Sequence, residues 1–258
     1  MQLQQQVSQC SDREQIQSVQ RESSFPGLLV NFDRAEAVRV DGELYSRLCI
    51  KTPLVTCGVN LEGFVQEYAE PFLQPGDILI ITEKIVAITQ GRAMPVEKIR
   101  PSLLARFLSR FVTRTSYGIG LAMPETMECA LRECGRIRIL VAAGIGAVGR
   151  LLGKRGWFYQ VAGIQASGID GPCDCTIPPY NRWVVLSPKN ASEVAVRIRD
   201  SLQVEGVEVA VIDFNDIGGE IIGWSDDRMD LLLLKKILAD NPLGQGNDQT
   251  PIGIVRMV

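Results

Sequence analysis

The residues able to do chemistry fall in four places along the chain. Lys84 follows an apolar run, residues 77–82 (DILIIT), and Arg92 comes shortly after it, behind Gly91. A lysine at the end of a buried strand, with an arginine beyond a glycine, can hold polyphosphate oxygens as charged donors. The same spacing also suits a solvated lysine at a hairpin edge. Carboxylates make the second group. Asp170 ends the small-residue loop Ala166-Ser167-Gly168-Ile169, Asp213 ends the apolar run 207–212, and Asp216 and Glu220 follow around Ile217-Gly218-Gly219. Acids at strand ends beside glycine loops hold magnesium or manganese with phosphate oxygens, whereas isolated Asp and Asn also serve as plain turn caps. The third place is Gly144-Ile145-Gly146-Ala147-Val148-Gly149, a literal G-x-G-x-x-G with Asp170 about twenty residues beyond it, the offset of a nicotinamide or flavin dinucleotide site. Such a site needs a helix starting inside the glycine loop, and Gly153 and Gly156 interrupt the segment at once. The fourth is the polar run 241–251, which includes Gln245, between a leucine-rich segment and an apolar one.

Composition narrows what these groups can do. The chain has 258 residues, a net charge of -3, 46% hydrophobic residues and no histidine. A chain of this length buries roughly 70–75% of its unfolded surface, so one large domain or two closely packed lobes is expected. Mild acidity leaves no footprint for nucleic acid. The lack of histidine removes the commonest general base, every His-containing triad and His-type zinc sites, leaving oxygen or thiolate ligands for any metal. Seven scattered cysteines with no C-x-x-C pair read as a reduced, cytoplasmic protein, and Cys173-Asp174-Cys175 alone is a poor zinc site. Residues 1–24 form a polar tail, expected to be disordered, with no signal-peptide core. The apolar stretch 139–149 is too short to cross a bilayer, so no membrane partner is expected.

The elements that must position these groups alternate from residue 25 onward. Apolar spacing predicts helices over 60–73, from Pro101 through Phe111, from Pro124 through Cys134, over 190–202 with Asn190 and Glu193 as a capping box, and from Asp226-Asp227 to Leu238. Strands are predicted at 77–82, 137–143, 157–162, 183–186, 207–213 and 251–257, with a strand, turn and strand around residues 82–86. This mixture gives an α+β protein with mixed sheets, residues 25–258 forming one unit with no separating linker.

Taken in order, these segments resemble the γ-glutamyl ligase family of the deazaflavin coenzyme F-420. Gly76-Asp77-Ile78-Leu79, Glu83-Lys84-Ile85-Val86 and Gln90-Gly91-Arg92 are similar to one family block, and Pro101-Ser102 with Ala105 to the next. Gly168-Ile169-Asp170 matches a third, and Gly244-Gln245 through Val255-Arg256 the closing one. The resemblance implies two intimately packed α/β lobes in a homodimer and an amide ligation of L-glutamate to a small acceptor carboxylate. The reaction would run through an acyl phosphate made from GTP or ATP, with magnesium or manganese and a monovalent cation as a further expected ion. It implies Asp170, Asp213, Asp216 and Gln245 as metal ligands, and Lys84, Arg92 and Ser102 as nucleotide contacts. Asp216 or Glu220 would accept the proton of the amine. Two segments depart from the family pattern: its acidic "GDDL" loop reads Gly58-Val59-Asn60-Leu61, and its "DTFGR" segment reads Asp213-Phe214-Asn215-Asp216-Ile217-Gly218-Gly219. A catalytically degenerate nucleotide-binding member is therefore the alternative to an active ligase.

Overall fold

The computed structural model describes residues 28–29, 35–112, 120–154, 156–174, 176–215, 218–244 and 248–258. Their centre is a mixed sheet. Strand β3 (Glu43–Ile50) runs antiparallel to β9 (Ile252–Met257), which runs antiparallel to β4 (Ile78–Thr82). β4 is parallel to β7 (Glu208–Asn215), and β7 is antiparallel to β8 (Gly218–Trp224). The outer edge of β3 carries β1 (Leu28–Leu29) and β2 (Ala37–Val40), the latter through a tight turn at Asp41-Gly42 with positive φ at both residues.

Alternation along the strands divides the core. Leu79 and Ile81 of β4, with Val209 and Val211 of β7, pack on one side of the sheet under helices α1 (Leu61–Tyr68) and α8 (Ala191–Ser201). Ile80, Ala210 and Ile212 pack on the other side, against Leu234 and Ile237 of α9 (Leu231–Ile237). Helix α8 seats Ala191, Val194, Ala195 and Ile198 on its inner face, the expected helical spacing. Gly223 of β8 lets it come close, because a Cβ there would lie 2.3 Å from the carbonyl carbon of Ala191.

A separate hydrophobic cluster joins α3 (Leu103–Leu108), α4 (Pro124–Glu133), α5 (Arg136–Leu151), α6 (Trp157–Ala162) and α7 (Ile164–Ser167). A small ladder of β5 (Ala93–Pro95) and β6 (Trp183–Val185) packs with them. The protein is thus α+β with a mixed sheet.

Several local expectations are corrected. Residues 83–89 form helix α2 (Glu83–Thr89), not the return strand of a hairpin. Ile85, Val86, Ala87 and Ile88 are all buried, so periodicity could not tell a buried helix from a buried strand. Residues 137–143 and 157–162 are helical as well, lying in α5 and α6, where small residues at the helix contact leave several apolar side chains exposed. Pro101 precedes the cap of α3 instead of opening its first turn; Ser102 is the cap and accepts from the Ala105 N–H. Asn190 adopts a left-handed φ of 52° and its amide donates to the Glu193 carboxylate, so no capping box closes. Asp230, not Asp226 or Asp227, caps α9 by accepting from Leu233 N–H at 2.9 Å, while Asp226 pairs with Arg228. Cys57, Cys129 and Cys134 are free thiols and the Cys49 Sγ donates to the Pro242 carbonyl, but Cys173 is disulfide-bonded, a departure from a wholly reduced set. The tail, residues 1–24, lies outside the described residues.

A buried ion pair fixes the start of β4. Asp77, 1% exposed, takes two hydrogen bonds from Arg256 of β9 at 2.8 and 2.7 Å, and accepts from Gln74 N–H. Asp77→Ala leaves the guanidinium buried without its anion and should cost about 3–5 kcal/mol in urea unfolding. A second expectation concerns α5 and α6, since a Cβ at Gly149 would lie 3.0 Å from the Trp157 ring. Gly149→Val should lower stability by about 1–3 kcal/mol through overpacking, read by the same titration.

Candidate functional site

The parallel pair β4–β7 ends with Thr82 opposite Ile212. The next residue on each strand is an acid: Glu83 leaves β4 to open α2, and Asp213 stands at the same level of β7, which runs on paired with β8. Open α/β sheets collect ligands at the carboxyl ends of their parallel strands. Lys84 follows Glu83 in the first turn of α2, and its Nζ lies 2.8 Å from Oδ2 of Asp170. Asp170 reaches this end from the α7 side. Its backbone exchanges hydrogen bonds with Val185 of β6 at 2.9 and 3.0 Å, an added bridge to the small ladder. The preceding glycine is required, because a Cβ at Gly168 would sit 2.0 Å from Oγ of buried Ser187.

Electrostatics follow from putting three acids around one ammonium. Glu83 is only 9% exposed, and burial, then Asp213 and Asp170, push its carboxyl up to about 9, against a smaller opposing pull from Lys84. Asp213 is raised to about 6 by burial first and by Asp170 next, with Lys84 pulling it down and Glu220 adding a further push. The Asp170 carboxylate, in turn, holds the Lys84 ammonium above its usual value. Glu83 is thus pushed toward its neutral form, beside the half-exposed ion pair Lys84–Asp170.

The other sequence-derived candidates divide. Glu220 of β8 is the cross-strand partner of Asp213, though its carboxylate binds Lys235 at 2.7 Å. The Arg92 guanidinium is engaged with Glu133 at 2.5 Å and with the Ser187 carbonyl at 2.6 Å. Ser102 donates to Glu128 at 2.7 Å. Neither Arg92 nor Ser102 is joined to the Lys84–Asp170 pair by any of these contacts. Asp216 and Gln245 lie outside the described residues. Among the described residues no three His, Cys, Asp or Glu side chains stand together closely enough to hold a metal ion. The loop at Gly58 caps α1 through Asn60 and borders a cavity of about 160 Å³, whose charged groups are the paired Glu62 and Arg197, 2.9 Å apart.

Glu83 is the site residue that the sequence reading passed over. Its signal was an acid placed directly after a buried strand and before the lysine, read there as part of a turn. The glycine string at 144–149 finds no such role. It lies wholly inside α5, where no glycine loop faces a helix N-terminus, so the dinucleotide expectation does not hold. Gly146 and Gly149 instead admit Phe158 and Trp157 of α6.

The sequence profile described as F420-0:Gamma-glutamyl ligase matches residues 49–226, more than two thirds of the chain. No curated protein matches it.

The raised acids make stability fall as pH rises. Folded Asp213 and Glu83 keep protons that the unfolded chain gives up near pH 4, so the folded state binds more protons between about pH 4 and 6 for Asp213 and up to about pH 9 for Glu83. Unfolding free energy, measured from pH 5 to 9 with and without Glu83→Gln, should show the wild type losing stability along the upper part of that range and the variant losing less. A wild type that gained stability relative to the variant above pH 6 would mean that Glu83 is ionised in the fold.

Proposed function

The chain belongs to the F420-0:gamma-glutamyl ligase family, and on that footing we propose that it joins L-glutamate to the carboxylate of a small acceptor at the end of β4 and β7. The observation that carries the reading is the convergence of Lys84, Asp170 and Asp213 at the carboxyl ends of two parallel strands. In the proposed reaction an acceptor carboxylate oxygen attacks the γ-phosphorus of GTP or ATP and the nucleoside diphosphate leaves. The glutamate amine then attacks the acyl carbon of the resulting acyl phosphate, and inorganic phosphate leaves as the amide forms.

Lys84 is suited to the phosphate oxygens, being a charged donor on a short rigid helix, held in place by Asp170. Magnesium or manganese fits the set by its chemistry. The donors are all hard oxygens, and the burial and, after it, the repulsion among acids that raise Asp213 and Glu83 are what a cation would relieve. Asp170 and Asp213, with Asp216 and Gln245, would hold it, and bound there it would neutralise charge on the transferring phosphoryl group. Deprotonation of the amine falls to Asp216 or to Glu220, which shares the level of Asp213 across β7 and β8. Within this proposal the protein is a cytoplasmic homodimer of two lobes. The separate helical and sheet cores support the lobes, and no helix among the described residues is long and apolar enough to cross a membrane.

Thermal denaturation with GTP or ATP, each with and without magnesium or manganese, tests the site. A purine triphosphate at a hundred times its Kd should add about 2.7 kcal/mol, and only with the metal. Asp170→Asn should abolish ligation while leaving the melting curve of the free protein nearly unchanged; full turnover in that variant sinks the assignment. Gly168→Ala, which must shift the loop leading to Asp170, should lower kcat about tenfold or more, about 1.4 kcal/mol of barrier. Metal-dependent nucleotide binding with no ligation of any acceptor would point to the degenerate reading, in line with the acid-free Gly58 loop.

A further inference from the structure

Helix α5 is packed the wrong way round for a core helix. Its buried residues are Ile139, Ala142 and Gly149, two of them small. The larger side chains point outward: Ile137 is 80% exposed and Leu151 87%, with Val141 and Val148 about half exposed between them. These four recur every three or four residues, on one stripe with Gly144, beside which a Cβ would meet nothing within 4 Å. Leu140, Ile145 and Leu152 widen the stripe to an uninterrupted apolar arc on the order of 140° of the helix circumference.

The patch continues beyond α5. The Arg150 guanidinium donates to the Phe111 carbonyl at 2.5 Å, which brings the end of α3 beside the Leu151 end of α5. There Phe107 and Phe111 pair edge-on with ring centres 5.0 Å apart, both more than half exposed, and Leu103 on the same helix is 86% exposed. Charge goes with the apolar surface. Residues 98–155 contain eleven Lys and Arg against three Asp and Glu, in a chain whose net charge is -3. Arg136 and Arg138, both exposed, flank the arc on its two sides near one end, and Lys154 sits over the half-buried Trp157 ring at the other.

We propose that this face docks on an anionic phospholipid bilayer, with α5 lying in the plane of the interface. A broad apolar arc edged by arginine and lysine, with aromatic rings beside it, is the layout of a helix that sinks its apolar side to the acyl boundary and keeps its cations at the headgroups. At 16 residues α5 is about 24 Å long, short of the roughly 30 Å hydrocarbon layer, so it lies on the membrane and does not span it. Charge argues against a second copy as the occupant. Pairing two α5 stripes antiparallel about Gly144 sets Arg136 of one helix against the Arg150–Lys154 end of the other, and pairing them parallel sets like against like. Anionic headgroups suit the exposed Arg136 and Lys154 at the two ends of the arc.

Sedimentation of the full-length protein with vesicles tests the proposal, using pure phosphatidylcholine and phosphatidylcholine containing about one third phosphatidylglycerol. The protein should pellet with the anionic vesicles, much less with the neutral ones, and should be released as salt is raised. The double variant Val141→Asp with Val148→Asp changes exposed positions only and should keep its circular dichroism and melting curve while losing at least about tenfold in vesicle partitioning. Arg136→Gln with Lys154→Gln should weaken partitioning to anionic vesicles by roughly tenfold or more, at about 1 kcal/mol per cation. Wild-type protein that stays in the supernatant with anionic vesicles overturns the proposal, as does undiminished binding by the aspartate variant. Light scattering gives the remaining outcome: a wild-type dimer that the aspartate variant turns into a monomer, with no vesicle binding by either, would assign the face to a second copy and likewise overturn it.

Discussion

Parallel pairing of β4 with β7 is the constraint on which the candidate site depends. Because Thr82 stands opposite Ile212, the ladder they share ends at one height, and each strand has an acid as its next residue. A register slip of one residue would exchange the two faces of β4, sending Leu79 and Ile81 to the α9 side and Ile80 to the α8 side. It would also separate Glu83 from Asp213. The register is held at the other end of β4 by the Asp77–Arg256 pair, which ties the strand to β9, and along its length by side chains buried on both faces. The hydrophobic core and the site are thus two consequences of one alignment.

Crowding acids at that level has a cost that the fold carries everywhere else. A carboxyl raised to about 9 is one whose ionised form the surroundings resist, through lost hydration and through Asp213 and Asp170. Lys84 offsets part of this for its neighbours and is itself stabilised by Asp170. Such an arrangement is poor for stability and good for binding a cation or a charged phosphate, which is how functional sites differ from structural ion pairs. The contrast lies within the same molecule. Arg92–Glu133 and Arg256–Asp77 are closed pairs with further backbone hydrogen bonds, whereas Lys84–Asp170 is half open to solvent and has an excess of acid around it.

The helical region follows a different logic from the sheet. Its glycines allow α6 to lie close against α5, with Phe158 and Trp157 filling the space that side chains at 146 and 149 would take. Close packing on that side uses small residues, which leaves the large apolar ones on the other side, facing out. Exposed aliphatic and aromatic side chains in a strongly basic stretch form a surface distinct from the acidic remainder of the chain. Burial of a helix, often read as the fate of its most apolar face, is here decided by which face can approach a neighbour most closely.

Much of the fold and part of the site were legible in the residues alone. Strands at 77–82, 183–186, 207–213 and 251–257 show in the sequence because β-branched runs bounded by turn residues have few other uses. Histidine's absence confined the chemistry to oxygen, ammonium and thiolate groups, and the order of the Lys84, Gly168-Ile169-Asp170 and Asp213 segments pointed to a family. Other features were out of reach. Residues 83–89, 137–143 and 157–162 are short apolar runs whose helical state depends on what surrounds them: the first is buried on nearly every side and has no polar face to reveal its period, and the other two carry apolar side chains on exposed or half-buried faces as well as packed ones. The glycine string at 144–149 is the same letters whether it turns around a pyrophosphate or lines a helix contact. Only the tertiary structure decided that it lies inside α5. The partnership of Glu83, Asp213 and Asp170 around Lys84 was likewise decided in three dimensions, because these residues are brought together by strand pairing across 130 positions of sequence. Side-chain types determine which interactions are available, and the alignment of the sheet determines which of them are made.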